Sequence, residues 1–258
     1  MSKDTCKTFR IWAVLFWLIV WEIISRMIGQ EILLVSPVSV VRKLLELMFS
    51  CSSDSSAGEF WISVLFSFSR IISGFLLAST TGILLAAFSS VSRPVRELLA
   101  PIMAVIKATP VASFIILVLI WVPSRNLSVV IAFLMVLPVI YTNILNGIDS
   151  MDPLLLEMAD VFRVPPVRRI RYVYLSQLLP CLRSAFSLSL GLCWKAGIAA
   201  EVIGIPDGSI GEKLYQAKVY LETPELFAWT VVIVVLSVIF ERGFLFLTDR
   251  FVQWLEQS

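Results

Sequence analysis

Apolar runs of about 20 residues, the length an α-helix needs to cross the hydrocarbon of a bilayer, recur along this chain from end to end. On that criterion spans fall near residues 11–29, 71–91, 101–122, 128–147, 177–204 and 226–247. Only 16% of the residues are charged, against about a quarter in a soluble domain, and the mean hydropathy is +0.89. A chain so poor in charge cannot cover a folded surface with polar groups, so a bilayer must solvate much of it. In lipid every backbone N–H and C=O has to be paired internally, which leaves helices or closed barrels. A transmembrane barrel would show alternating segments of about ten residues, and the runs here are near-continuous. The expected fold is an all-α membrane protein, a six-span helical bundle forming one transmembrane domain over residues 1–258.

Several function classes drop out at this stage. The net charge of +2 offers no basic face for nucleic acid. The chain contains no histidine, which removes Ser–His–Asp, Cys–His and HExxH chemistry and with it intramembrane proteases of those kinds. It also lacks a G-x-x-x-x-G-K-[ST] phosphate loop, so any ATP that energises it must be hydrolysed by another subunit. Cys6, Cys51, Cys181 and Cys193 show no metal or disulfide spacing and read as small apolar residues. No catalytic, cofactor or metal site is expected in this chain. The first run carries Trp12, Trp17, Trp21 and Glu22 with no small-x-small site after it, so it reads as a retained anchor rather than a cleaved signal.

Charge fixes the orientation. With the N-terminus inside, eleven lysines and arginines lie on inner segments and five on outer ones, which favours both termini in the cytoplasm. Outside the spans, residues 36–50 open with Ser-Pro and continue as a short amphipathic helix, followed by the loop CSSDSSAG. Residues 148–172 form the largest inner segment, two short helices broken at Val164-Pro165-Pro166. Small residues recur every four positions at Gly74, Ala78, Gly82 and Ala86, and again at Ala196, Ala200 and Gly204. Such stripes let helix backbones approach closely in lipid.

The inner segment holds Glu157-Met158-Ala159, three residues, Arg163, nine residues, then Val173-Tyr174-Leu175-Ser176. It resembles the ATPase-coupling loop of ABC importer permeases, E-A-A, three residues, G, nine residues, I-x-L-P. The second alanine, the glycine and the proline are replaced here. Upstream, LPVIYTNILNGIDSMDPLLLEMA is similar to the family's Pro-containing span and the Asn, Gly and Asp-Pro before its glutamate. Downstream, Leu179-Pro180, Gly191, Trp194 and Ala199-Ala200-Glu201 resemble the nitrate/sulfonate/taurine-type branch. The resemblance runs over about residues 11–254.

The resemblance implies a type I ABC importer permease in a prokaryotic cytoplasmic membrane. It would pair with a second permease subunit, a homodimer being the simplest arrangement. Two ATPase subunits carrying ATP and Mg²⁺ and an extracytoplasmic solute-binding protein would complete it. Glu157, Met158, Ala159, Asp160, Phe162 and Arg163 would form the ATPase-coupling helix. Arg163, Arg168, Arg169 and Arg171 would pair with acidic ATPase residues, or serve only as the positive-inside signal against lipid headgroups. If the family glycine position takes a positive φ, Arg163 there costs about 1 kcal/mol; alternatively, Pro165-Pro166 moves the turn by a residue or two.

Ionisable residues within spans are costly and mark cavities or partners. Arg70, Lys107, Lys195 and Glu201, with Trp194 beside them, are the candidates for the substrate path, and the basic ones suit a small anion such as a sulfonate, taurine or nitrate. Arg70 and Lys107 can instead snorkel to the interfaces. An ion-gradient transporter is the main rival, but such proteins often show repeated halves and no repeat is present. An importer of the same family for an unrelated molecule, such as a vitamin precursor, is the other.

Overall fold

The computed structural model describes residues 3–30, 33–49, 56–163, 165–169 and 174–257. Cys51 and the serine-rich stretch around it, Val164, Arg171 and Val173 lie outside the described residues. The described chain is helical: α1 (Lys3–Ile28), α2 (Pro37–Phe49), α3 (Ser56–Val91), α4 (Arg93–Ala108), α5 (Val111–Leu119), α6 (Ser124–Asp149), α7 (Pro153–Val161), α8 (Pro166–Arg169), α9 (Leu175–Gly204), α10 (Ile210–Val219) and α11 (Thr223–Gln257). Helices α3, α6, α9 and α11 are each long and apolar enough to cross a membrane; α4 and α5, which hold the expected run 101–122, pass the same test only as a pair bent by 105°. The 26 residues of α1 reach ~39 Å at ~1.5 Å per residue, so a count of six fits. Helix α3 has 36 residues, or ~54 Å, and projects well beyond the ~30 Å hydrocarbon layer.

Helix α6 is the centre of the bundle, packed between α3 and α9. The small-residue stripes make this possible. A Cβ on Gly74 would lie 2.5 Å from the Val129 carbonyl oxygen and 2.8 Å from Ala132 Cβ, both on α6. On the other side, a Cβ on Gly204 would meet Leu127 at 2.6 Å, and Ala196 and Ala200 are buried against α5 and α6. With no hydrophobic drive between helices in lipid, this close van der Waals contact is the main source of packing energy. An aromatic seam closes α3, α9 and α11 together: Phe75 meets Phe244 edge-on at 5.0 Å, and Phe186 meets the same ring at 5.2 Å. The periphery is looser, with α2 held between α1, α3 and α11 by Val40, Leu44 and Leu47.

The α4–α5 bend follows from Thr109-Pro110. Proline excludes its predecessor from helical ψ, and Thr109 is extended at φ −76°, ψ 128°. Ion pairs mark the two ends of the bundle. At one end, Arg96 of α4 holds Asp149 of α6 at 2.5 Å, and Arg183 of α9 holds Asp249 of α11 at 3.1 Å. At the other, Lys43 of α2 reaches Glu225 of α11 at 3.8 Å and Lys213 of α10 reaches Glu59 of α3 at 3.1 Å.

Candidate functional site

The Glu157–Arg163 segment lies on and just after α7, at the end of the bundle where α6 finishes and α9 begins. Asp152 caps α7 by accepting from the Leu154 N–H at 2.9 Å, with Pro153 at the first helical position, the favoured chemistry for a helix start. Its exit is a left-handed turn: Arg163 has φ +48° and its N–H donates to the Asp160 carbonyl at 3.0 Å, the inner bond of a Schellman-type ending. Pro166 does not displace this turn; it begins α8 three residues later. Leu154, Met158, Val161 and Phe162 are exposed while Ala159 is buried, so α7 presents an apolar face outward from the bundle. Glu157 is exposed beside that face. Asp160 pairs with Arg169 of α8, which ties the two short helices together. That hydrogen bond, with the charge of Asp160 behind it, raises the Arg169 guanidinium above its ordinary pKa, so it stays charged throughout the working range.

The five candidates for the path do not converge. Trp194 is buried in the aromatic seam, 5.9 Å from Phe68 and 6.4 Å from Phe240. Glu201 is 0% exposed, enclosed by α3, α9 and α10, where Oε2 accepts from Ser67 Oγ at 2.6 Å. Arg70 sits within α3, level with the start of α6, donating to Asn126 Oδ1 at 3.2 Å and stacking over Phe66 at 4.3 Å. Lys107 ends α4 and donates to Thr142 Oγ1 of α6 at 2.9 Å; that hydroxyl in turn donates to the Pro138 carbonyl at 2.7 Å.

Lys195 differs from the rest. It is exposed, and among the described residues it has no hydrogen-bond or ion-pair partner. It shares one face of α9 with the exposed Ser184 and Leu188 and with Gly191, where a Cβ would meet nothing within 4 Å. Gly147 packs against Cys181 and Gly204 against Leu127, which puts Lys195 about level with the middle of α6. A charge facing lipid at mid-membrane costs roughly 2.5–3.5 kcal/mol or more. That face of α9 therefore meets water or another subunit.

Two polar arrangements escape the sequence reading. Glu241 of α11 accepts from Ser187 Oγ of α9 at 2.9 Å. Ser67 joins Glu201 to the start of α10, its Oγ accepting from the Ile210 N–H at 2.9 Å. The sequence carries a partial signal for the second: Ser209 and Glu212 have capping-box spacing, and the Ser209 hydroxyl does accept from the Glu212 N–H, at 3.0 Å.

A central span packed through small residues, a capped short helix on one end and an unpaired lysine on an open mid-span face define a helical membrane transport subunit. Residues 78–258 match the family described as binding-protein-dependent transport system inner membrane component, and the chain belongs to that family. It is similar to the Bacillus subtilis protein SsuC, named for aliphatic sulfonates transport, with 27% identity over 93% of this chain and 82% of the relative. The nitrate import permease NrtB of Synechococcus elongatus is 26% identical over 78% of this chain and 72% of its own. The taurine transport system permease TauC of Escherichia coli is 23% identical over 91% and 84%. All three are named as permease components of transport systems.

Proposed function

We propose that this chain is the path-forming subunit of an ATP-driven importer for a small anionic solute. Two copies enclose the path, two ATPase subunits bind ATP and Mg²⁺, and an extracytoplasmic binding protein delivers the solute. Both termini and α7 face the cytoplasm, on the inner side set by the lysine and arginine excess. The observation that carries the anionic reading is Lys195, unpaired on an open face of α9 at mid-span; Lys107 and Arg70 add positive potential towards the inner and outer ends. The names of the relatives, sulfonate, nitrate and taurine permeases, support the same class of solute.

Coupling follows from the geometry of α7. A rigid, proline-started helix with an exposed apolar face can seat in a groove of an ATPase, with Glu157, Asp160 and Arg163 at the rim and Met158, Phe162 and the buried Ala159 setting its depth. Because α7 follows closely on α6 and the Asp152 N–H at its start donates to Gln177 Oε1 of α9 at 3.2 Å, a displacement of α7 is passed to both helices that flank the path.

The test is uptake by proteoliposomes holding the chain, its ATPase and its binding protein, with radiolabelled taurine, an alkanesulfonate, nitrate and bicarbonate offered singly. Lys195→Met should reduce uptake of the accepted anion about tenfold, equivalent to ~1.4 kcal/mol, and Lys195→Arg should retain most of it. Unchanged uptake by Lys195→Met would remove the lysine from the path, and accumulation of none of the anions would overturn the solute class.

A further inference from the structure

We propose that Glu201 is a positioning residue that latches α10 onto α3 and α9, and that releasing this latch frees the outer end of the bundle during transport. The dynamic half of this inference rests on the transport reading above; the latch itself rests on geometry alone. Ile210 and Gly211 are the first two residues of α10, and their amides have no partner within their own helix. The Ile210 N–H donates to Ser67 Oγ at 2.9 Å, Ser67 Oγ donates to Glu201 Oε2 at 2.6 Å, and the Gly211 N–H lies 3.4 Å from the same oxygen. The positive end of the α10 dipole thus rests against a buried carboxylate, the favourable polarity. The approach is close enough to demand glycine: a Cβ on Gly211 would fall 2.3 Å from Glu201 Cβ.

Three observations make this attachment a latch rather than ordinary packing. First, α10 keeps its own cap without it, through the Glu212 N–H to Ser209 Oγ at 3.0 Å and the Gly208 N–H to Glu212 Oε2 at 2.6 Å, so it stays a helix when released. Second, both connections pass through left-handed residues, Ile205 at φ +45° and Gly208 at φ +74° before it and Leu221 at φ +57° after it. A β-branched residue in that region is strained, and such strain collects at elements that move. Third, the apolar hold is one-sided: α10 packs on α9 and α11 through Ile210, Ala217 and the half-buried Leu214, while Tyr215, Lys218 and Val219 are exposed.

On the α6 side, Ser128 Oγ lies close enough to Glu201 to act on its carboxylate, in poorer geometry than the 2.6 Å bond from Ser67. Lys195 and Glu201 stand six residues apart on one rigid helix, which at ~100° per residue puts them ~240° apart around it. A turn of α9 that moves Lys195 in the path must move Glu201 against α10.

Hydrogen exchange of the full chain in lipid nanodiscs, read by mass spectrometry, tests the latch. Ser67→Ala and Glu201→Ala should each speed exchange of residues 210–219 about tenfold, the equivalent of ~1.4 kcal/mol, while α3, α6 and α9 keep wild-type protection. Their double variant should exchange faster than either single but by less than the product of the two effects, because both remove the shared Ser67–Glu201 bond. Glu201→Gln, whose side-chain oxygen still accepts from Ser67 but which loses the charge facing the α10 dipole, should fall between wild type and Glu201→Ala, and Gly211→Ala should release α10 from the other side. Unchanged exchange in α10, or equal acceleration across the bundle, would overturn the latch. In the assembled transporter the released variants should hydrolyse ATP with less uptake per ATP than wild type, and unaltered stoichiometry would overturn the link to transport. A wild-type chain that accumulates nothing, with α10 still freed by Ser67→Ala, would sink the transport reading and leave the latch standing.

Discussion

Gly74→Ala isolates the contact on which the bundle is built. The added methyl would sit 2.8 Å from Ala132 Cβ, 2.5 Å from the Val129 carbonyl oxygen and 3.3 Å from the Phe133 nitrogen. Two of these are backbone atoms of α6, which cannot step aside singly. Restoring a carbon–carbon separation of ~3.5 Å moves α3 outward by ~0.7 Å, and gaps of that size forfeit a quarter to a half of the dispersion well for each contact opened. Overpacking of this kind costs about 1–3 kcal/mol, offset by up to ~1 kcal/mol from replacing glycine within a helix. The net loss of ~1–2 kcal/mol lowers Tm by about 2–8 °C for a chain of this size. Gly243→Ala on α11 is the control, because nothing lies within 4 Å of its added methyl and only the helix gain remains. The assay is thermal unfolding of the purified chain in detergent at one fixed scan rate, since membrane proteins often unfold irreversibly. If Gly74→Ala melts at or above wild type, or Gly243→Ala falls as far as Gly74→Ala, the small-residue stripe does not set the α3–α6 distance.

Arg163→Gly should relieve about 1 kcal/mol of left-handed strain after α7; in the assembled transporter it should keep or raise solute-stimulated ATPase activity, whereas Arg163→Val, which worsens the strain, should lower it. Arg96→Glu should lower the Tm slightly, since the Arg96–Asp149 pair is half-exposed and solvent-screened, and the double exchange Arg96→Glu with Asp149→Arg should recover most of the lost Tm.

What the sequence shows of this fold is what local chemistry dictates. Run length gives the spans, and the four-residue spacing of Gly74, Ala78, Gly82 and Ala86 gives the face that α6 covers. Pro110 places the break that becomes the 105° bend. Arg163 stands where the family has glycine, and the backbone there is left-handed. The polar partners were not legible in the same way. Ser67 and Glu201 are 134 residues apart, and nothing in either segment announces the other. A glutamate read alone in a span suggests a path, whereas the same glutamate with Ser67 and the start of α10 in view is a buried anchor.

Trp194 and Lys195 show the same limit at its smallest scale. They are adjacent, so about 100° separates them around α9, and run length treats them alike. Tertiary packing sends Trp194 into the aromatic seam with Phe68 and Phe240 and leaves Lys195 on the open face. The amphipathic signal that normally distinguishes two faces is absent in a span, because lipid and protein core are equally apolar. Only a charge breaks that symmetry, since lipid penalises it and a hydrated path does not. In a chain of this kind the unpaired mid-span charge is therefore the most informative residue type, and its meaning depends on which neighbours the fold supplies. Glu201 has Ser67 and the Gly211 amide, while Lys195 has no partner among the described residues, and the anchor and path roles proposed for the two rest on that difference.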